Sequence, residues 1–193
     1  MDILKLIKER RTIRKYKNKP IPKKIIEKII EAGTWAPSPH NSQPWRFIII
    51  ENKKLKNQLI DRLGTLSNKF LTSFKILFKT TLAIMENAPL IILVYNTKFL
   101  SKKTFPFGKP YFPVTYISEL EGISAAIQNM HLVASSLGLG MAWLTIPLFG
   151  SAEVNKLMKT DNELVAILTL GYPQEEGKVF SRKKLSETLR YIK

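Results

Sequence analysis

Ala36-Pro-Ser-Pro-His-Asn-Ser-Gln-Pro-Trp45 is followed, after Arg46, by Phe47-Ile-Ile-Ile50. Three prolines in the first ten residues forbid a long helix and stiffen the backbone. Between them lie Ser38, His40, Asn41, Ser42 and Gln43, side chains that donate and accept hydrogen bonds. The apolar run behind them has the length of a buried strand. A rigid, amide-rich loop feeding a core strand suits recognition of a planar, polar ligand. An ordinary turn carrying a helix cap is the plain alternative.

Working outward, the other strand-like runs are Leu90–Tyr95, Met141–Leu144 and Val165–Leu170, each short, apolar and bounded by turn signals. The run from Pro89 to Tyr95 has no polar side to spare and reads as a central strand covered on both faces. Helical spacing fills the intervals. Ile3, Leu4, Leu6 and Ile7 mark one side of a first helix; Ile25, Ile26, Ile29 and Ile30 mark a second, opened by Pro20-Ile-Pro22. Leu55, Leu59, Leu63 and Leu66, then Phe70, Phe74, Leu77 and Phe78, continue the pattern over a basic middle region. The aromatic stripe fits core packing or the wall of a substrate pocket. Ser118 and Glu121 are spaced as a capping box ahead of a helix whose apolar face is Ile123, Ile127, Met130, Ala134 and Leu137. Asn129 and His131 are expected in hydrogen bonds near that core. Ser151–Met158 reads as a further short helix, and Lys98–Pro113 as a loop long enough to act as a lid.

The chain has 193 residues and no cysteine, with 31 Lys plus Arg against 15 Asp plus Glu, a formal charge of +16. That length supports one domain with a substantial core. The missing cysteines exclude a disulfide framework, a thiolate metal site and a cysteine nucleophile. Two histidines leave no basis for a structural zinc site. No apolar run reaches membrane-spanning length, and the amphipathic start is not a signal peptide, so a cytoplasmic location is expected. The charge is uneven: residues 1–28 carry eleven basic and three acidic residues, whereas 111–177 carry two and seven. Most lysines fall at solvent-facing helical positions without interleaved aromatics. The basic balance therefore reads as a solvated surface, and a nucleic-acid partner is not expected.

Arg10-Arg-Thr-Ile-Arg14 places three guanidinium forks and a hydroxyl together, a combination suited to phosphate oxygens. A solvated basic turn is the alternative. Read with the Pro37–Trp45 loop, this block resembles the opening of the nitroreductase family of FMN-dependent oxidoreductases, which pairs Arg-Arg-Ser-x-Arg with Pro-Ser-x-x-Asn-x-Gln-Pro-Trp. Two further blocks are similar to the family's: Ala125–Gly140, like its long core helix and glycine turn, and Ser181-Arg-Lys-Lys-Leu185, like its C-terminal Arg-Lys-Pro-Leu.

The resemblance implies an α+β fold, a mostly antiparallel central sheet flanked by helices, in an intertwined homodimer. Residues 1–193 would form one FMN-binding domain with a variable basic helical and lid region at about 53–117. It implies that Arg10, Arg11, Thr12 and Arg14 hold the FMN phosphate and part of the ring edge, with Arg182 and Lys184 completing the phosphate site. Ser38, Asn41 and Gln43 would reach the flavin bound mainly by the other subunit. Leu144, Thr145 and Ile146 would offer backbone N–H groups to the ring. NADH or NADPH is the implied donor, and a nitroaromatic, quinone or similar small electron-poor molecule the implied acceptor, in a ping-pong cycle. No catalytic side chain and no metal are required, because the flavin carries the chemistry. Flavin cleavage, reductive dehalogenation, and non-catalytic binding of flavin or nucleic acid are the alternatives.

Overall fold

Every residue of Leu90–Asn96 is buried, and the reason is that both faces of this strand meet a helical layer. The computed structural model describes residues 2–102 and 112–192. The helices are α1 (Ile3–Glu9), α2 (Lys23–Thr34), α3 (Lys53–Ser67), α4 (Thr72–Asn87), α5 (Phe112–Ser136) and α6 (Ser151–Met158). The strands are β1 (Trp45–Ile50), β2 (Leu90–Asn96), β3 (Gly140–Leu144) and β4 (Glu163–Gly171). They form one sheet in the order β1-β2-β4-β3, with every neighbouring pair antiparallel. The α+β architecture and its antiparallel sheet are as expected, and each strand lies where its apolar run placed it.

Strand periodicity sorts the core into two layers, since successive side chains point to opposite faces. Leu90, Ile92 and Val94 of β2, with Ala166, Leu168 and Leu170 of β4, pack against α2 and α5. Ile91, Leu93 and Tyr95, with Ile167, Ala142 and Leu144, pack against α3, α4 and α6. The continuous apolar run of β2 is therefore two alternating sets, one for each layer.

Two expectations change, and one alternative is chosen. Ser118 does not cap a helix: α5 starts at Phe112, so Ser118 and Glu121 lie inside it. Their spacing imitates a cap because the same interval also occurs within a helix. The stripe of Phe70, Phe74 and Phe78 is packing, joined by Phe149 in edge and stacked contacts with centroids 4.8 to 6.2 Å apart. The hydrogen-bonding expectation holds for Asn129, whose Nδ2 donates to Ala32 O at 3.2 Å, but His131 Nε2 has no partner among the described residues. The centre of the expected lid, residues 103–111, lies outside the described residues. Among them no helix is long and apolar enough to cross a membrane.

Candidate functional site

After α1 the chain does not turn; it runs extended along the free edge of β3. Thr12 forms a parallel bridge with Met141, and Ile13 N–H donates to Met141 O at 3.1 Å. The approach is close because position 140 is glycine: a Cβ there would lie 2.5 Å from Ile13 Cβ. The segment also pairs with the chain leaving β4. Tyr16 bridges Pro173, Lys17 N–H donates to Tyr172 O at 2.8 Å, and Gln174 N–H donates to Lys15 O at 2.9 Å. Tyr16 is buried between these strips, its hydroxyl within 2.5 Å of Ile13 O and 2.7 Å of Thr169 Oγ1. Burial is the main reason its hydroxyl is pushed well above the ordinary phenol range.

This arrangement brings the two ends of the chain together. A cavity of about 410 Å³ is lined by Arg10, Arg11, Thr12 and Arg14 from the first segment and by Lys178, Phe180 and Arg182 from the last. Lys8, Ile7 and Gln128 of α5 complete its wall. No carboxylate is among the described lining residues. Burial, then the charges of Arg11 and Arg182, lower the pKa of the Arg10 guanidinium from its ordinary value. Cations that repel one another in a partly dry pocket are stabilised by a bound anion, and arginine forks match phosphate oxygens. The pocket therefore fits the phosphate end of FMN on charge, donor type and volume.

Arg10, Arg11, Thr12, Arg14 and Arg182 are thus assembled. Lys184 is not among the lining residues; it is exposed, and its N–H donates to Glu187 Oε1 at 3.0 Å at the start of a short 3-10 turn. Ser38, Asn41 and Gln43 are also absent from this cavity. Their loop is tightly shaped. Gln43 N–H donates to Ser38 Oγ at 3.0 Å, and Gln43 Nε2 to Asn41 Oδ1 at 3.3 Å. His40, Asn41 and Gln43 have φ of 49°, 51° and 45°. Left-handed backbone at three non-glycine residues costs energy, and such strain clusters at ligand sites. Leu144 is buried in the α3–α4–α6 layer, while exposed Thr145 and half-buried Ile146 lead into a 3-10 turn over Ile146–Gly150.

Gln128 and Lys178 were not anticipated. Gln128 is one polar position on a helix read for its apolar face, and Lys178 resembles any of the other basic residues until the tail is placed. Gly177 gives the one local signal. Its φ of +78° lets the tail pass where a Cβ would stand 2.6 Å from Arg11 Cβ, which sets Lys178 beside the arginines.

Both the sequence and the fold have known relatives. The sequence model of the nitroreductase family matches residues 7–172. A protein of Archaeoglobus fulgidus, named as a candidate NADH dehydrogenase/NAD(P)H nitroreductase, is 32% identical over 184 residues, covering 91% of this chain and 87% of its own. The iodotyrosine deiodinase of Thermotoga neapolitana is 30% identical over 192 residues, covering 93% of each. A candidate nitroreductase from Desulfovibrio desulfuricans, solved in complex with FMN, superposes with a TM-score of 0.75 at 26% identity. That superposition covers 100% of this chain and 98% of the other.

Proposed function

Because the chain belongs to the nitroreductase family, we propose that it is an FMN-dependent oxidoreductase that takes hydride from NADH or NADPH and reduces nitroaromatics, quinones or similar electron-poor acceptors. The observation that carries the reading is the convergence of Arg10, Arg11 and Arg14 with Lys178 and Arg182 on one cavity. FMN, when bound, supplies the two-electron chemistry. The chain's part is to hold, orient and tune it. Arg10, Arg11, Thr12 and Arg14 take the phosphate and the adjoining ring edge, and Arg182 and Lys184 complete the phosphate site. Backbone N–H groups of Leu144, Thr145 and Ile146 are assigned to the ring. Preorganised cations and N–H donors favour negative charge gained on reduction.

The reading includes a homodimer, in which Ser38, Asn41 and Gln43 reach the flavin of a second copy. Support comes from apolar side chains left in solvent. Ile3, Leu4 and Ile7 form the exposed face of α1, and Val179, Phe180, Leu185, Tyr191 and Ile192 are exposed along the tail. Faces of this kind mark protein–protein contacts. Light scattering is expected to return twice the mass of one chain.

The decisive experiment is purification followed by absorbance spectroscopy. A flavin spectrum with one FMN per subunit, and steady NAD(P)H oxidation coupled to a quinone or nitro compound, is the expected result. A colourless protein that cannot be reconstituted with FMN defeats the reading. Reductive dehalogenation is the second reading, favoured by the 30% identity to a deiodinase along nearly the whole of both chains. Iodide release from iodotyrosine under reducing conditions, without quinone-coupled turnover, selects it.

A further inference from the structure

The cations of the pocket come from two segments that share no helix or strand, so something must fix one against the other. Arg14 N–H donates to Glu175 Oε1 at 2.7 Å, and Lys15 N–H reaches the same oxygen at 3.3 Å. Glu175 stands in the tail two residues before Gly177, whose backbone crosses directly over Arg11. Three residues beyond Glu175 is Lys178, and seven beyond is Arg182. Glu175 itself does not line the cationic cavity; it lines a neighbouring one of about 870 Å³ that shares Arg14, Lys178 and Phe180 with it. A carboxylate receiving two backbone N–H groups makes charge-assisted bonds, stronger than neutral ones. These bonds reach Arg14 through its main chain and not through its guanidinium, and Arg14 lines the cationic cavity.

We propose that Glu175 is the positioning residue of the anion site: by clamping the backbone of Arg14 and Lys15 it sets Lys178 and Arg182 in register with Arg10, Arg11 and Arg14. This rests on the FMN reading. The consequence falls chiefly on the phosphate, because the tail cations that the clamp aligns, Lys178 and Arg182, are assigned to the phosphate and not to the ring edge. Loss of the clamp therefore weakens FMN and spares riboflavin, which has the same ring and no phosphate.

The test titrates the full-length apoprotein with FMN and with riboflavin, following quenching of flavin fluorescence, for wild type, Glu175→Ala and Glu175→Gln. Glu175→Ala is expected to weaken FMN about tenfold while riboflavin changes by less than about twofold. Glu175→Gln keeps a carbonyl oxygen for Arg14 N–H and is expected to stay within about threefold of wild type for FMN. If both flavins weaken by the same factor in Glu175→Ala, Glu175 is only a structural residue and the proposal fails. It fails equally if the wild type prefers FMN over riboflavin and both variants keep that preference unchanged. A wild type that binds neither flavin overturns the FMN reading itself, and this proposal with it. Should Glu175→Ala not fold, by circular dichroism, Glu175→Leu, of similar length and without an acceptor, takes its place: FMN weakened with riboflavin spared supports the proposal, and an equal loss for both flavins or no loss sinks it.

Discussion

His131 shows how the cationic pocket reaches into the core. It sits on α5 one turn beyond Gln128, which lines the pocket, and its side chain is buried. Burial first, and the Arg10 charge second, push the imidazole down from 6.5 to about 4. The ring therefore stays neutral in the folded protein while the unfolded chain protonates it as pH falls through 6.5. A folded pKa below the unfolded one means the unfolded state binds the extra proton, so stability falls as pH drops. The loss accumulates between about 6.5 and 4 and amounts to on the order of 3 kcal/mol at its limit. Chemical denaturation of wild type and His131→Leu across that window checks it. The difference in unfolding free energy between the two is expected to shift with pH by that amount, and no such shift would place the imidazole in a wetter site.

At the level of elements, α5 organises the molecule from the inside. Ile123, Ala126, Ile127, Met130 and Ala134 are buried against the sheet and α2. Toward its start, the buried carboxylate of Glu119 fastens the segment that leaves β2. It accepts Leu100 N–H at 2.7 Å and Ser101 Oγ–H at 2.7 Å, with Ser101 N–H at 3.4 Å and Asn96 Nδ2 at 3.5 Å. Glu119→Ala strands these donors in a dry environment and is expected to cost about 3 kcal/mol. A thermal melt would read it, and a change within experimental scatter would mean water replaces the carboxylate.

The same helix marks where sequence reading stops. Its apolar face was legible because four buried side chains recur at helical spacing. Its start was not, because residues 112–118 carry no helix breaker after Pro113, and Ser118 with Glu121 imitates a terminus. The strands were legible to within a residue or two, since each combines an apolar run with a flanking turn. The arginines of the site were legible through their resemblance to a family block. Gln128 and Lys178 were not, because their membership depends on a tail folding back over a segment more than 160 residues earlier, and local pattern carries no trace of such pairing.

For the whole molecule the governing fact is the formal charge of +16. The ion pairs among the described residues include Lys5–Glu9 at 3.9 Å and Lys23–Glu27 at 3.6 Å, both well exposed. Exposed pairs of this kind contribute little, so the net repulsion among cations is mostly uncompensated. Raising ionic strength from about 0.01 to about 0.15 M shortens the screening length from about 30 to about 8 Å. The melting temperature of the apoprotein is expected to rise by a few degrees, roughly the effect of 1 kcal/mol. A scanning calorimetry series in sodium chloride measures it, and a falling melting temperature would show that attractive pairs dominate. Over the same range FMN is expected to bind less tightly, while riboflavin is unaffected.

The pairing of Arg10–Tyr16 with the tail beyond β4 also has a consequence for synthesis. A growing polypeptide that has only just emerged past β4 has its first arginines in place but still lacks Lys178 and Arg182. A ribosome-tethered intermediate thus has the cavity's first-segment cations without those of the tail, and the proposed capture of a phosphorylated ligand waits until the last of these residues has left the exit tunnel.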